Sequence, residues 1–230
     1  MFGKVIILLL IQMGGLGIMT MATMVALIMG KKISLKERLI IKEQLNQETM
    51  SGMVRLILYV LAMTFSIEAL GAVLLSFNFI PEYGIAKGIW FSVFHSVSAF
   101  CNAGFDITGN SFMSYTDSPI TIITLSALII VGGTGFAVLN DLAKHRRWVR
   151  LSLHTKLVVT MSLALLLIGT LFFFVLEYSN PETIGQMTFW GKLSSAFFAS
   201  VVPRTAGFNS IDTAALRESS VFLTIILMFI

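Results

Sequence analysis

An all-α, multi-span membrane protein built from repeated units is the fold class this sequence predicts, on three observations. Apolar residues make up 56% of the 230 residues and charged residues 12%, against about 25% charged in ordinary soluble domains. Four apolar stretches, 4–29, 53–79, 119–143 and 156–178, reach the roughly 20 residues that a bilayer crossing requires. The pentapeptide CNAGF at 101–105 recurs as RTAGF at 204–208, and each copy ends an apolar segment too short to cross.

The elements follow in order. The stretch 4–29 has neither a basic leader nor a small-residue cleavage site, so it reads as a mature span and not as a signal peptide. Residues 31–50 set Ile33, Leu35, Leu39, Ile40 and Leu45 among Lys, Glu, Gln and Asn, the pattern of an amphipathic helix at the membrane surface or against a partner subunit. From Ile89 to Cys101 is 13 residues, about 20 Å as a helix against a hydrocarbon core of about 30 Å. That segment can enter the bilayer but cannot leave on the other side. The span 156–178, a half-helix at 189–202 and an apolar stretch from Ser220 to Ile230 repeat the order.

The sequence therefore divides into 1–30, the second helix of a first unit; 31–52, a cytoplasmic connector; 53–143, a complete second unit; 144–155, a second connector; and 156–230, a third unit whose last helix stops at Ile230. GGLG at 14–17 matches GGTG at 132–135 and is expected to let helices pack closely around the half-helices. Gly104 precedes Gly132 by 28 residues; the same interval taken back from Gly14, or forward from Gly207, leaves the sequence. The expectation is an internal slice of a longer repeat array.

Eleven of the sixteen Lys and Arg lie in two clusters: Lys31, Lys32, Lys36, Arg38, Lys42 and Arg55, and Lys144, Arg146, Arg147, Arg150 and Lys156. Both connectors are cytoplasmic by the positive-inside rule, which turns the two pentapeptides outward. The net charge of +4 is thereby explained without a nucleic-acid partner, since stacking aromatics and a soluble fold are both missing. Cys101 is the single cysteine, which excludes an internal disulfide or a CxxC metal pair. No HExxH or GxSxG motif occurs and the three histidines have no evident nucleophile partner, so the protein is not expected to be an enzyme.

Chemistry concentrates in the repeated turn. Non-helical backbone at membrane depth is tolerated only inside protein or beside water, because unsatisfied amides in lipid cost several kcal/mol each. Gly104 and Gly207 can adopt positive φ at little cost, which lets successive carbonyls point one way. Such carbonyls replace the water shell of a monovalent cation, and the half-helix C-terminus adds about half a negative charge. The filter residues are thus expected to be Asn102, Ala103, Gly104 and Phe105, with Thr205, Ala206, Gly207 and Phe208.

Supporting residues are expected nearby. Arg204 is a charge at membrane depth that either anchors its loop or tunes ion entry, and Thr205 can add its hydroxyl. Glu68, midway along a span, needs a partner or a water-facing position; a basic group near the filter and a plain contact between spans both fit. Asp106 either concentrates cations at the mouth or caps its loop. Asp141 reads as solvated, and His95 as a packed histidine and not a metal ligand.

SVSAFCNAGFD at 96–106 and SVVPRTAGFN at 200–209 resemble the second and third pore loops of the Trk/Ktr/HKT superfamily of potassium transporters, most closely the membrane subunit of bacterial Ktr systems. LIQMGGLGIMT at 10–20 and LIIVGGTGF at 128–136 resemble the second helices of that family's first two repeats. The resemblance implies four span, pore-loop, span repeats around one central pore, in a multi-pass protein of the bacterial cell membrane. It implies transported K+ (with Na+ as the alternative or coupled ion), no other cofactor and no transition metal. It also implies a homodimer of complete subunits in membrane lipid and a cytosolic ring of nucleotide-binding regulatory subunits against the basic connectors. The first and fourth filter quarters and the family's intramembrane gate loop would fall outside this sequence, so the polypeptide alone is not expected to conduct. A carrier for a larger polar solute is the competing class, but carriers break full spans at the midplane, whereas these breaks end half-helices entered from outside.

Overall fold

The structure is a computed structural model that describes residues 2–17, 53–116, 118–145 and 147–229. Residues 18–30 of the first expected span, the expected connector and amphipathic helix at 31–52, and Ile230 lie outside the described residues. Helix α1 is Phe2–Leu16, α2 Met53–Tyr83, α3 Ile85–Phe100, α4 Pro119–Gly133, α5 Phe136–Lys144, α6 Leu153–Glu177, α7 Phe189–Val201 and α8 Glu218–Met228. The described residues contain no strand.

Among the described residues, two helices are long and apolar enough to cross a membrane, Ile57–Tyr83 and Leu153–Glu177, and α4 and α5 together reach the length of a third. The stretch 119–143, expected as one span, is a broken one: α4 and α5 meet at 98°. Gly135, just before α5, has φ +84°, which no α-helix accommodates and which glycine adopts without steric cost. The half-helix expected at 89–101 runs instead from Ile85 to Phe100. Gly84 turns the chain at φ +78° directly after α2, and a side chain at Gly88 would meet the Ile80 backbone at 2.6 Å, so α2 and α3 form a tight helical hairpin. At 16 residues α3 is about 24 Å long, still short of a crossing.

The same contact seats each short helix on its long one. Ser96 of α3 donates to the Glu68 carbonyl at 2.6 Å, and Ser200 of α7 donates to the Leu166 carbonyl at 3.1 Å. A glycine three residues further along each long helix, Gly71 or Gly169, leaves the room; a side chain there would strike Ser96 or Ser200. In lipid, where apolar burial drives helix association weakly, such small-residue, hydrogen-bonded contacts supply the specificity.

Caps fix the outer ends. Ser118 and Thr121, at the start of α4, both accept from Asn78 Nδ2 at 2.6 Å. At the end of α6, the buried Glu177 carboxylate accepts from Asn180 Nδ2 at 2.7 Å, Thr183 Oγ1 at 2.7 Å, Arg217 N at 3.0 Å and Ser220 Oγ. It thereby satisfies amide and hydroxyl donors at the start of α8. One buried cluster, including Leu75, Phe79, Phe100, Phe112, Phe198 and Phe208, runs through both units and surrounds the C-terminal ends of α3 and α7.

Candidate functional site

The ends of α3 and α7 bring the two pentapeptides together. Asn102 and Gly104 have φ of +51° and +70°; Thr205 and Gly207, 103 positions later, have +66° and +71°. Left-handed residues thus alternate with Ala103 and Ala206 in both copies. For Asn the cost is small, but a β-branched Thr in this region is a true outlier, costing about 1–3 kcal/mol, and it persists only where its surroundings enforce it. Sequence inspection singled out the glycines; the left-handed residue two positions earlier carries no glycine to announce it.

Alternation of this kind turns every second peptide plane, and the amides show the direction. Asn102 N donates to Ala99 O at 3.2 Å, Ala103 N to Ser98 O at 2.9 Å and Phe105 N to Ser98 Oγ at 2.9 Å, all on α3. Ala206 N donates to Val202 O at 3.1 Å. Among the described residues, no hydrogen bond reaches the carbonyls of Asn102, Ala103 and Gly104, or those of Thr205, Ala206, Gly207 and Phe208. Ala206 and Phe208 are buried, whereas Asn102, Ala103 and Gly104 are half-buried and Thr205 and Gly207 exposed, so most of these carbonyls are open to an ion or to water.

The two turns touch through their glycines. A side chain at Gly104 would lie 2.7 Å from Gly207 Cα and 2.8 Å from Ala206 O. On the other side of the turns, Asn102 and Thr205 line one cavity of about 500 Å³ together with Gly133, Ser162, Ser200 and Arg204.

Each supporting residue has a defined partner. Arg204 Nη1 donates to Ser162 Oγ at 3.1 Å and Nη2 to Ser162 O at 2.9 Å, which ties the second turn to α6. Thr205 Oγ1 donates to Arg204 O at 2.6 Å. The Asn102 amide nitrogen faces Ala99 O at 3.1 Å and Ile129 O at 3.3 Å, in the orientation that pairs it with acceptors. Glu68, buried, accepts from Gln12 Nε2 at 3.2 Å and faces Cys101 Sγ at 4.0 Å, so α1, α2 and α3 meet at this carboxylate.

Asp106 faces His95 Nε2 at 2.9 Å and accepts from Thr108 N and Gly109 N, each at 2.8 Å, from Thr108 Oγ1 at 2.6 Å and from Ser111 N at 3.0 Å. Burial alone would raise its carboxyl, but these hydrogen bonds outweigh burial and hold it below the usual carboxylate range. His95 Nδ1 lies 2.8 Å from Phe91 O, so both ring nitrogens are occupied. Asp141, expected to be solvated, accepts from Ser152 N at 3.0 Å and Thr155 Oγ1 at 2.6 Å and ties α5 to α6. Among the described residues, no group of three or more metal-ligating side chains occurs.

The glycine motifs also find their places. A side chain at Gly132 would meet the carbonyl of Phe100 at the end of α3, and one at Gly15 would meet Cys101. Close approach at the base of the first turn is therefore what these glycines permit.

A family model described as cation transport protein, TrkH, matches residues 1–230. The chain belongs to the TrkH family. The chain is similar to "Ktr system potassium uptake protein B" of Bacillus subtilis, 46% identical over 229 residues, 100% of this chain and 52% of that protein. "Potassium/sodium uptake protein NtpJ" of Enterococcus hirae is 45% identical over 228 residues, 99% of this chain and 50% of that one. "Ktr system potassium uptake protein B" of Vibrio alginolyticus is 39% identical over 230 residues, with 99% and 50% covered. The chain spans about half the length of the curated relatives it matches. Membership places it among transport proteins of the membrane, in agreement with its apolar, all-helical build.

Proposed function

We propose that this chain supplies two of the backbone-lined loops of a potassium uptake protein in the cell membrane. The carbonyls of 102–104 and 205–208 take the place of water around the ion; the Phe105 carbonyl, expected among them, accepts instead from Ser98 Oγ at 2.9 Å. The observation that carries the reading is the matched pair of turns: the same two left-handed positions in each, the amide of the intervening alanine bonded back to the half-helix end, and carbonyls of 102–104 and 205–208 that no described group engages. Each half-helix C-terminus adds its negative dipole end to a site with no carboxylate of its own. Because Gly104 and Gly207 are in contact, the ion runs along the carbonyl edge of the paired turns and not between the glycines, and further loops complete the ring. The cavity beneath Asn102 and Thr205 continues that route inward.

The relatives' printed names support potassium as the ion, and one of them names sodium beside it. A sodium-transporting member is accordingly the second reading. A carrier for a larger solute is disfavoured by direct backbone contact between the turns. In this reading complete subunits pair as homodimers, and cytosolic nucleotide-binding subunits dock on the basic connectors.

The test places this chain in the Bacillus subtilis relative, in exchange for the matching residues, and measures rubidium and sodium uptake in cells lacking their own potassium uptake systems. Gly104→Ser and Gly207→Ser are each expected to lower the preference for rubidium at least tenfold, since each forces a side chain onto the other glycine at positive φ. An unchanged preference in both variants would falsify the filter assignment.

A further inference from the structure

The second turn lacks part of the support that the first possesses. By the 103-residue offset, His95 corresponds to Phe198 and Asp106 to Asn209, and among the described residues no carboxylate or histidine of the third unit bonds to residues 205–209. That end is held by the first turn's own loop. Asp106 Oδ2 accepts from Ser111 N at 3.0 Å, and Ser111 Oγ accepts from Asn209 N at 2.8 Å. Phe112 N donates to Asn209 O at 2.9 Å, so both backbone groups of the residue after Phe208 are engaged by residues 111 and 112.

An aromatic path runs beside this polar one. The His95 ring packs edge-on to Phe112 at 5.1 Å between centroids, and Phe112 packs edge-on to Phe208 at 5.2 Å. Ser111 has φ +56°, a left-handed conformation that presents its hydroxyl to Asn209 while its amide turns back to Asp106.

We infer that Asp106 and Ser111 are positioning residues that set the register of the second turn from the first unit, so that the ion preference of residues 205–208 depends on side chains about 100 positions earlier. The inference rests on the filter reading above and adds a coupling between its two quarters. Asp106 acts through Ser111, and Ser111 through Asn209; neither touches the ion.

Ser111→Gly is the decisive variant, because glycine accepts φ +56° without strain and only the hydroxyl is lost. In the same chimera it is expected to reduce rubidium-over-sodium preference by about threefold to tenfold, the effect of losing one hydrogen bond, with the amount of protein in the membrane unchanged. Asp106→Asn, whose single oxygen cannot serve both Thr108 on one side and Gly109 and Ser111 on the other, is expected to reduce it further. Ser114→Ala is the control, since Ser114 accepts only from Asn110 in the same loop; it is expected to leave the preference at the parent value. If Ser111→Gly keeps the parent preference, or Ser114→Ala lowers it equally, the coupling is refuted. Gly207→Ser in the same assay separates the two claims: no effect there refutes the filter reading, whereas an effect there without one at Ser111 refutes the coupling alone.

Discussion

The two glycine turns share a backbone but not their supports. In the first, Asn102 reaches toward α4, Glu68 and Gln12 lie beneath Cys101, and His95 and Asp106 hold the outer end. In the second, Arg204 grips Ser162 of α6, and the outer end is held by Ser111 and Phe112. The phenylalanines that close the turns differ in the same sense: Phe105 is 50% exposed and Phe208 is fully buried. What the repeat preserves is a set of dihedral angles and a seat for the half-helix; the side chains that enforce them were free to differ. Backbone geometry is therefore the shared chemistry, and each unit reaches it by its own contacts.

The largest way to break the comparison is at the glycines themselves. Gly104 and Gly207 touch each other, so substituting either one disturbs both turns, and the two serine variants are expected to lose rubidium preference to a similar degree. Strongly unequal losses would mean that the turns act independently. The next effect is at the base of the first turn. Gly132→Ala drives a methyl into the Phe100 carbonyl, a backbone atom that cannot yield, and is expected to leave several-fold less folded protein in the membrane, measured by immunoblot or fluorescence size-exclusion.

Arg204 offers a sharper contrast. If it anchors, Arg204→Lys fails nearly as badly as Arg204→Gln, because an ammonium cannot reproduce the two-pronged grip on Ser162. Each is expected to cost about 1.5–3 kcal/mol, read as a lower thermal midpoint. Retention of parent ion preference and stability in the lysine variant alone would assign Arg204 an electrostatic role instead. Glu68→Gln is expected to have a small effect, under about 1 kcal/mol, since an amide oxygen still accepts from Gln12 and the Glu68 carbonyl that receives Ser96 is untouched.

The smallest effect concerns acid. Asp106 is held below its unfolded value, so its contribution to stability is complete above the ordinary carboxylate range, declines as pH falls below that range and is lost once pH passes the lower folded value. Hydrogen-exchange protection at the Gly109 and Ser111 amides is accordingly expected to stay level from about pH 8 to pH 5 once intrinsic exchange is corrected. A loss within that window would contradict this account of the carboxylate.

Fold class and family were legible because they rest on local signals: apolar length, two matching pentapeptides and paired glycine motifs. The break at Gly135 was harder to see, since GGTG reads equally well as a packing motif, and the choice between packing and breaking depends on how closely Phe100 approaches Gly132. Asn102 and Thr205 gave no sign of left-handed backbone because neither is glycine; the turn imposes it through the amide bonds to α3 and α7. The Asp106, Ser111 and Asn209 contacts join residues about 100 positions apart, and the Glu177 cap gathers donors from two later segments, so no periodicity announces either. Buried carboxylates satisfied by scattered amides are a tertiary property.

The most direct measurement is anomalous scattering from rubidium or thallium in crystals of the assembled transporter carrying this chain. Density in direct contact with carbonyl oxygens of both 102–104 and 205–208 is the result expected. Density confined to the carboxylates of Glu68 or Asp106, with none at either run of carbonyls, would contradict the claim that the paired turns hold the ion.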